Sequence, residues 1–520
     1  MFRRRCKGWM KTVRTFMLAS VAIATIFPLD RAYSDENAPV TQHDRWVTSV
    51  AFSPDGATLI TAGGQSLQYR PGDVKLWDTK TGKLLANLEG HKANVWALAV
   101  SPDGKLLVTS SYSGEVIVWD VAKKEKVAAL DKYKSWVRSV AFAPDGKHFA
   151  TAGEDGSATV WAVEGTKEMK TIEAHKTMIN GLAFSPDSKT LATASTDKTV
   201  KLWDWQAAKE TAKLEGHSEA VWTVAFSSDG TRIATGGADR TVRLWEASGK
   251  PQATFTGHRD WVTCVRFSPN GKWICSSSHD RSLRVWDIEK ASGLAGQVAE
   301  ARSKVKATAD AVDKATQEAG DAEKTASQAQ GRTDAIAALL AAKEAAETVK
   351  QAQAALDADK ENKDLVKVLA DAKAAVEKAT ADADQKVKDA GGDKAFMDQV
   401  KKVKDGNTDV AKAELAALKK GSDEAATKSK AAAAMKDTAA KAAEAAIAAH
   451  KILDQQQSTV LTGYKSTVWS AAISPDGKHV ATGAHRVGSE ENTDTIKIWD
   501  IEQRKVLFPW VATKKKEKKE

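Results

Sequence analysis

Short alternating runs that end in tryptophan punctuate this chain at a nearly constant interval. VKLW, VIVW, ATVW, VKLW, VRLW and LRVW close at Trp77, Trp119, Trp161, Trp203, Trp245 and Trp286, with spacings of 42, 42, 42, 42 and 41 residues, and IKIW closes at Trp499. Their β-branched, period-two pattern predicts strands. A second mark recurs between them: SPDG at Ser53, Ser101, Ser185 and Ser474, with APDG at Ala143, SSDG at Ser227 and SPNG at Ser268. Pro presets φ at such a site, and Asp or Asn with Gly supplies hairpin-turn chemistry between strand-like flanks such as VTSVAF and ATLITA. Each period therefore predicts one unit of four short antiparallel strands. The gap of 213 residues from Trp286 to Trp499 is one such period plus 171 inserted residues.

Within residues 288–457 the periodicity changes from two to that of a helix. Ala, Lys, Asp, Glu and Gln dominate there, and Phe396 is the sole aromatic. Apolar or small residues recur from Leu294 to Leu340 in alternating steps of four and three, and again from Leu365 to Ala379. That spacing specifies a narrow coiled-coil seam, and Asp357 to Lys363 offers the tip of a helical hairpin. At 1.5 Å per residue the outgoing helix reaches on the order of 100 Å. Gly391-Gly392, Gly406-Asn407 and Gly421-Ser422 are expected to joint the returning limb. The strand due after Trp286 is displaced to Ser458–Leu461, so the arm is expected to leave the sixth unit between its third and fourth strands.

A period near 40 with a Trp-Asp ending resembles the WD40 repeat family. Asp follows the tryptophan at Asp78, Asp120, Asp204, Asp287 and Asp500. The resemblance implies an all-β, seven-bladed WD40 β-propeller, of a bacterial exported type, with a long α-helical coiled-coil hairpin inserted in blade six. It also implies a buried relay in each blade: His175, Thr193, Asp197 and Trp203 in blade four, His217, Thr235, Asp239 and Trp245 in blade five, and His258, Ser276, Asp280 and Trp286 in blade six. In the family such residues stiffen a blade. Recurrence of the set in one register favours that role over a hydrolase triad. Tyr133 and Tyr464 replace the histidine in blades three and seven, and Ser113 replaces the turn aspartate in blade two. Either Lys505–Trp510 or Ala38–His43 must complete blade seven. The third-to-fourth-strand connection lies opposite the Gly-His loops in this family, which implies a stalk beneath the ring.

The first 34 residues place a basic stretch ahead of an apolar run from Phe16 to Phe27 and end in Ala32-Tyr33-Ser34. That order predicts a cleaved export signal and a periplasmic or secreted protein, with no stable membrane insertion after cleavage. The expected divisions are thus 1–34 signal, 35–287 blades one to six, 288–457 arm, 458–512 the rest of blade six with blade seven, and 513–520 a basic tail. Residues 1–34 hold seven basic and one acidic residue, so the net charge of +9 falls to +3, all of it supplied by Lys514 to Glu520. A body without bulk basic charge argues against nucleic acid as a partner. After cleavage only Cys264 and Cys275 remain. They flank the Ser268–Gly271 turn symmetrically, either as core residues or as a cross-strand disulfide.

No haem-attachment, phosphate-loop or metal-ligand spacing occurs, so no catalytic residue, cofactor or metal is expected. The tryptophans left over by the repeat carry more information. Trp46, Trp136 and Trp261 stand seven residues before a hairpin turn, and Trp96, Trp222 and Trp469 stand five before. Equal parity sends all six from one side of the first strand. They either pack between blades or line the channel mouth, where peptide-reading relatives bind; Arg45, Arg138 and Asp260 stand beside or among them. His279 and His485 read as solvated loop residues. The primary expectation is a non-enzymatic scaffold for a protein or peptide. The alternatives are a propeller enzyme with a channel site and an envelope structural protein that self-associates through the arm.

Overall fold

The computed structural model describes residues 46–64, 71–130, 132–485 and 495–509. The expected export signal, Arg45, the 38–43 segment and the basic tail lie outside the described residues.

Among the described residues, twenty-eight strands form seven antiparallel sheets of four strands each. In blade one these are β1 (Trp46–Phe52), β2 (Thr58–Gly64), β3 (Gly72–Asp78) and β4 (Leu84–His91), hydrogen-bonded in chain order. Each later blade repeats that order. The first strands of successive sheets adjoin one another, and that of blade seven, Val468–Ile473, adjoins β1, so the ring closes. Closure matters because it leaves only short inner sheet edges, crowded against one another around the ring. Blade seven is completed by Lys505–Pro509, the first of the two candidates read from the sequence.

The hairpin turns are built as their composition predicts. In SPDG at Ser53 the seryl Oγ donates to Asp55 Oδ1 at 2.5 Å and accepts from the Thr58 amide at 2.9 Å, and the motif repeats at Ser101, Ser185 and Ser474. Between blades, buried aliphatics from facing sheets form the core. Val47, Val50, Leu59 and Trp77 pack on Ala472, Ala481, Ile496 and Ile498, for example.

The sixth sheet consists of Val262–Phe267, Trp273–Ser278, Leu283–Asp287 and Ser458–Leu461. Four helices lie in the chain between its last two strands: α1 (Ile288–Ala358), α2 (Lys363–Asp389), α3 (Lys394–Asp405) and α4 (Thr408–Gln457). Asp287, Asn362, Asp393 and Asn407 cap their N-termini by side-chain bonds to backbone amides, as short polar side chains do. All fourteen positions of the first apolar series are buried or half-buried. The breaks expected at Gly391-Gly392 and Gly406-Asn407 occur. The one at Gly421-Ser422 does not, because α4 runs through it and Ser422 donates to Gln330 on α1 at 3.0 Å. A single interior glycine costs only about 1 kcal/mol, which this packing outweighs. Phe396, Val400 and Val403 of α3 fill a local core against Ile336 and Leu339.

The stalk expected beneath the ring needs correction. The arm starts at the turn-side end of blade six, where the Ile288 amide donates to Lys272 O at 2.9 Å, but its base then packs along blade five's outer strand, Pro251–Thr256. Ile288 and Ala291 belong to the blade core. Arg284 fixes the returning limb, donating to Asp454 at 3.1 and 3.2 Å, to Gly257 O at 2.8 Å and to Ser458 Oγ at 2.8 Å.

Candidate functional site

The first strand of every blade carries one residue too many for its partner. Register slips between Val47 and Ser49 in blade one and at the equivalent place in all six others, so Thr48, Trp96, Arg138, Asn180, Trp222, Thr263 and Trp469 are β-bulge residues. A bulge breaks the period of two and re-aims the side chain. Simple parity therefore does not operate along these strands; the bulge places these side chains at the start of the channel. Its trace in the sequence is a small residue closing the second strand. At Gly153 of blade three a Cβ would come within 1.9 Å of Trp136 O.

Three of the seven bulge residues clamp the ring. Thr48, Asn180 and Thr263 donate to the carbonyls of Val95, Val221 and Val468 on the next blade, at 2.6, 2.9 and 2.6 Å. The other four, three tryptophans and Arg138, join a continuous aromatic cluster. Trp46 stacks on Trp469, Trp96 on Trp136 and Trp222 on Trp261, with centroids 6.1, 6.3 and 5.4 Å apart. Trp96 of blade two also meets Trp469 of blade seven edge-on at 5.7 Å, past blade one. Packing between neighbouring blades cannot make that contact; it spans the channel. Trp46, Trp96, Trp136, Trp222, Trp261 and Trp469 are all half-buried. His279 lies 5.2 Å from Trp261 and 4.8 Å from Trp469, and His485 lies 4.8 Å from Trp46. Both histidines are thus cluster members and not solvated loop residues, and burial lowers the pKa of His279. Asp260 remains exposed on the rim, its carboxylate accepting from the Trp261 amide.

Arg138 is buried inside this cluster. Its guanidinium carbon stands 4.3 Å from the Trp96 centroid, 4.9 Å from Trp222 and 5.8 Å from Trp136, so it reaches from blade three to blade five. Burial pulls its pKa down to about 9, while Glu154 favours the charged form. It stays cationic at neutral pH.

The blade relays are closed networks by comparison. In blade four His175 Nδ1 lies 2.8 Å from Asp197 Oδ2 and Nε2 lies 2.7 Å from Thr193 Oγ1, which accepts from Trp203 Nε1 at 3.1 Å. Blades five and six repeat it with His217, Thr235, Asp239 and Trp245, and with His258, Ser276, Asp280 and Trp286. Because the aspartate only accepts, Nδ1 carries the proton and the hydroxyl donates to Nε2. Thr193, Thr235 and Ser276 are fully buried, so none is a nucleophile open to substrate. In blade two Glu115 replaces the missing aspartate, with Oε2 3.8 Å from His91 Nδ1, and it is held down to about 2 chiefly by the His91 interaction. In blades three and seven Tyr133 and Tyr464 bond Thr151 and Thr482 at 2.5 and 2.7 Å.

The two cysteines do not face each other. The hairpin pairs Cys264 with Ser277 and Arg266 with Cys275, because the loop after Ser268 extends to Trp273, and both cysteines are buried free thiols. The symmetric flanking of the turn motif thus misplaced the hairpin centre by one residue. Among the described residues no cluster of metal-ligating groups occurs, and no helix is long and apolar enough to cross a membrane.

A closed ring of seven four-stranded sheets, with the blade tryptophan donating to a hydroxyl of the second strand, defines a β-propeller of WD40-type repeats. Residues 37–78, 249–287 and 455–500 match the family described as WD domain, G-beta repeat, and residues 95–253 match the second β-propeller of echinoderm microtubule-associated protein. Similar proteins include WD repeat-containing protein 1 of Xenopus tropicalis, 37% identical over 75 residues, 14% of this chain and 11% of that one. Nuclear distribution protein PAC1 of Arthroderma benhamiae is 39% identical over 70 residues, 13% of this chain and 15% of that one. Small ribosomal subunit protein RACK1y of Oryza sativa subsp. japonica is 40% identical over 73 residues, 14% of this chain and 20% of that one. The matched part of this chain thus spans at most a fifth of each of these three relatives.

Proposed function

We propose that this chain is a non-enzymatic, exported scaffold that binds a protein or peptide at the channel mouth and carries a coiled-coil arm inserted in blade six. WD40 propellers typically act as protein-interaction scaffolds, which supports the coarse reading. The observation that carries the site is the cross-channel cluster of half-buried tryptophans around Arg138. Tryptophan and arginine are the usual anchors of an interaction surface. Export rests on the basic-then-apolar order of residues 1–34 and the small-residue site after it. Periplasmic or secreted placement follows from the same reading.

The arm serves as a spacer or second docking element. Met435, Ile447 and Ile452 are 64, 54 and 56% exposed on α4, which favours a secondary role in self-association. Sedimentation of protein with and without the arm decides that role, through loss of any dimer when the arm is removed. For the mouth, peptides selected from a displayed library on the full chain are titrated against Trp96→Ala, Trp222→Ala and Trp261→Ala. Each variant is expected to weaken binding by at least ~1 kcal/mol with the ring still folded. Variants that unfold readily yet bind normally when folded place the site elsewhere.

A further inference from the structure

An aromatic mouth with charged neighbours suits a basic anchor, held by cation–π contacts on the indoles. The cluster, however, already holds a cation. Arg138 occupies the faces of Trp96 and Trp222 from within, so an incoming lysine or arginine meets like charge where it needs an open ring.

The polar groups at the mouth point the other way. Arg138 is 8% exposed, its Nε is buried without a partner, and no carboxylate of the described residues pairs with it. Glu154, whose field acts on it, is exposed and accepts from Ser135 instead. The indole N–H groups of Trp222 and Trp469 are also buried without partners; Asn94 lacks partners at both its amide nitrogen and its amide oxygen, and Asn180 at its amide oxygen. Buried polar groups normally find partners, and a buried unpaired cation is the costliest exception. The groups in want here are mostly donors, and they sit where the chain presents its half-buried indoles.

From this juxtaposition we infer that the mouth receives a carboxylate of a bound peptide, held by the Arg138 guanidinium with the indole N–H groups of Trp222 and Trp469 as further donors. The inference rests on the reading of the mouth as a peptide site and specifies its anchor as acidic. Arginine and carboxylate match in a two-pronged geometry that a neutral acceptor does not reproduce. The indoles that cover Arg138 are half-buried, so one edge of the cover already faces solvent. The anchor is either an Asp or Glu side chain or a chain-end carboxylate, and the test separates the two.

The experiment follows the indole N–H resonances of the full chain by NMR as three probes are added at equal concentration. These are N-acetylalanine, carrying a chain-end carboxylate, the α-amide of N-acetylglutamate, carrying a side-chain carboxylate, and N-acetyl-lysine amide, a cation. A carboxylate is expected to shift the Trp222 and Trp469 signals saturably, the stronger of the two naming the source, while the cation leaves them in place. Arg138→Met should weaken the carboxylate probe at least tenfold, and its melting temperature should be unchanged or higher, because an unpaired buried charge is removed. Signals moved by the lysine probe and not by carboxylates overturn the acidic anchor but keep the mouth as a site. Signals moved by none of the probes, together with library-selected peptides that also leave them unmoved, overturn both. A marked fall in melting temperature for Arg138→Met with carboxylate binding intact assigns Arg138 to structure and also overturns the inference.

Discussion

Arg284 at the base of the arm and Arg138 at the channel mouth are buried to nearly the same extent, 6 and 8% exposed, and each lies over an indole. Their surroundings differ. The Nε of both is buried without a partner, but Arg284 gives four hydrogen bonds from its terminal nitrogens, two of them to the Asp454 carboxylate, whereas Arg138 gives none to the described residues. One arginine joins two parts of the chain, and the other is held ready. Residue type and burial do not separate a structural cation from a binding one; the census of partners does.

The largest expected effect lies at the arginine paired with a carboxylate. Replacing residues 291–456 with a short Gly-Ser linker removes Asp454 and the core residue Ala291 and leaves Arg284 buried without its acid. That excision should cost about 3 to 5 kcal/mol against one limited to residues 300–450, which keeps both. Chemical unfolding of the two proteins measures it, and equal stability would erase the distinction drawn at Arg284. The point variant Arg284→Met should lose about 2 to 4 kcal/mol, while Arg138→Met loses none. Arg138's folded pKa is depressed, so the unfolded chain holds that proton more tightly and the charge opposes folding at neutral pH.

A smaller effect follows from pH. Burial works to raise the Asp239 carboxyl, but bonds from His217 and Thr241 hold it down to about 2. Its contribution is complete above the unfolded value of about 3.9 and disappears as pH falls through about 2, a difference on the order of 2 kcal/mol. His91 and His258, lowered by burial, add a gradual loss that begins below the ordinary imidazole value of about 6.5. Stability should therefore slope gently from pH 6.5 and steeply below 4. Asp239→Asn should flatten the steep limb, and an unchanged limb would remove that carboxylate from the acid response.

The Trp and SPDG spacing made the ring and its seven units legible, because the repeat fixes both strand period and turn chemistry. The relays were equally legible, since one set recurring in register has one physical role. Two things were hidden. The bulge at Thr48, Trp96 and their equivalents interrupts the alternation that parity arguments assume, so the convergence of the tryptophans was reached by a rule that fails along these strands. Whether Arg138 had a partner was equally invisible, because its neighbours come from blades two, three and five, and sequence distance says nothing about hydrogen-bond closure across a channel. The cysteine pairing failed for a related reason, a turn two residues longer on its second side than the motif suggests. Cys264→Ser should accordingly leave the thiol of Cys275 free and stability within about 1 kcal/mol. Quantitative labelling of unreduced, denatured protein from which residues 1–34 have been removed should count two thiols, and none would restore the bond.

The most direct test of the mouth is hydroxyl-radical footprinting of the full chain with and without a peptide selected from an unbiased displayed library. Protection of Trp96, Trp222, Trp261 and Trp469, with the blade tryptophans Trp203 and Trp245 unchanged, is the predicted result. Protection confined to the helical arm or to the outer strands of the blades, with those four equally labelled in both states, would contradict it.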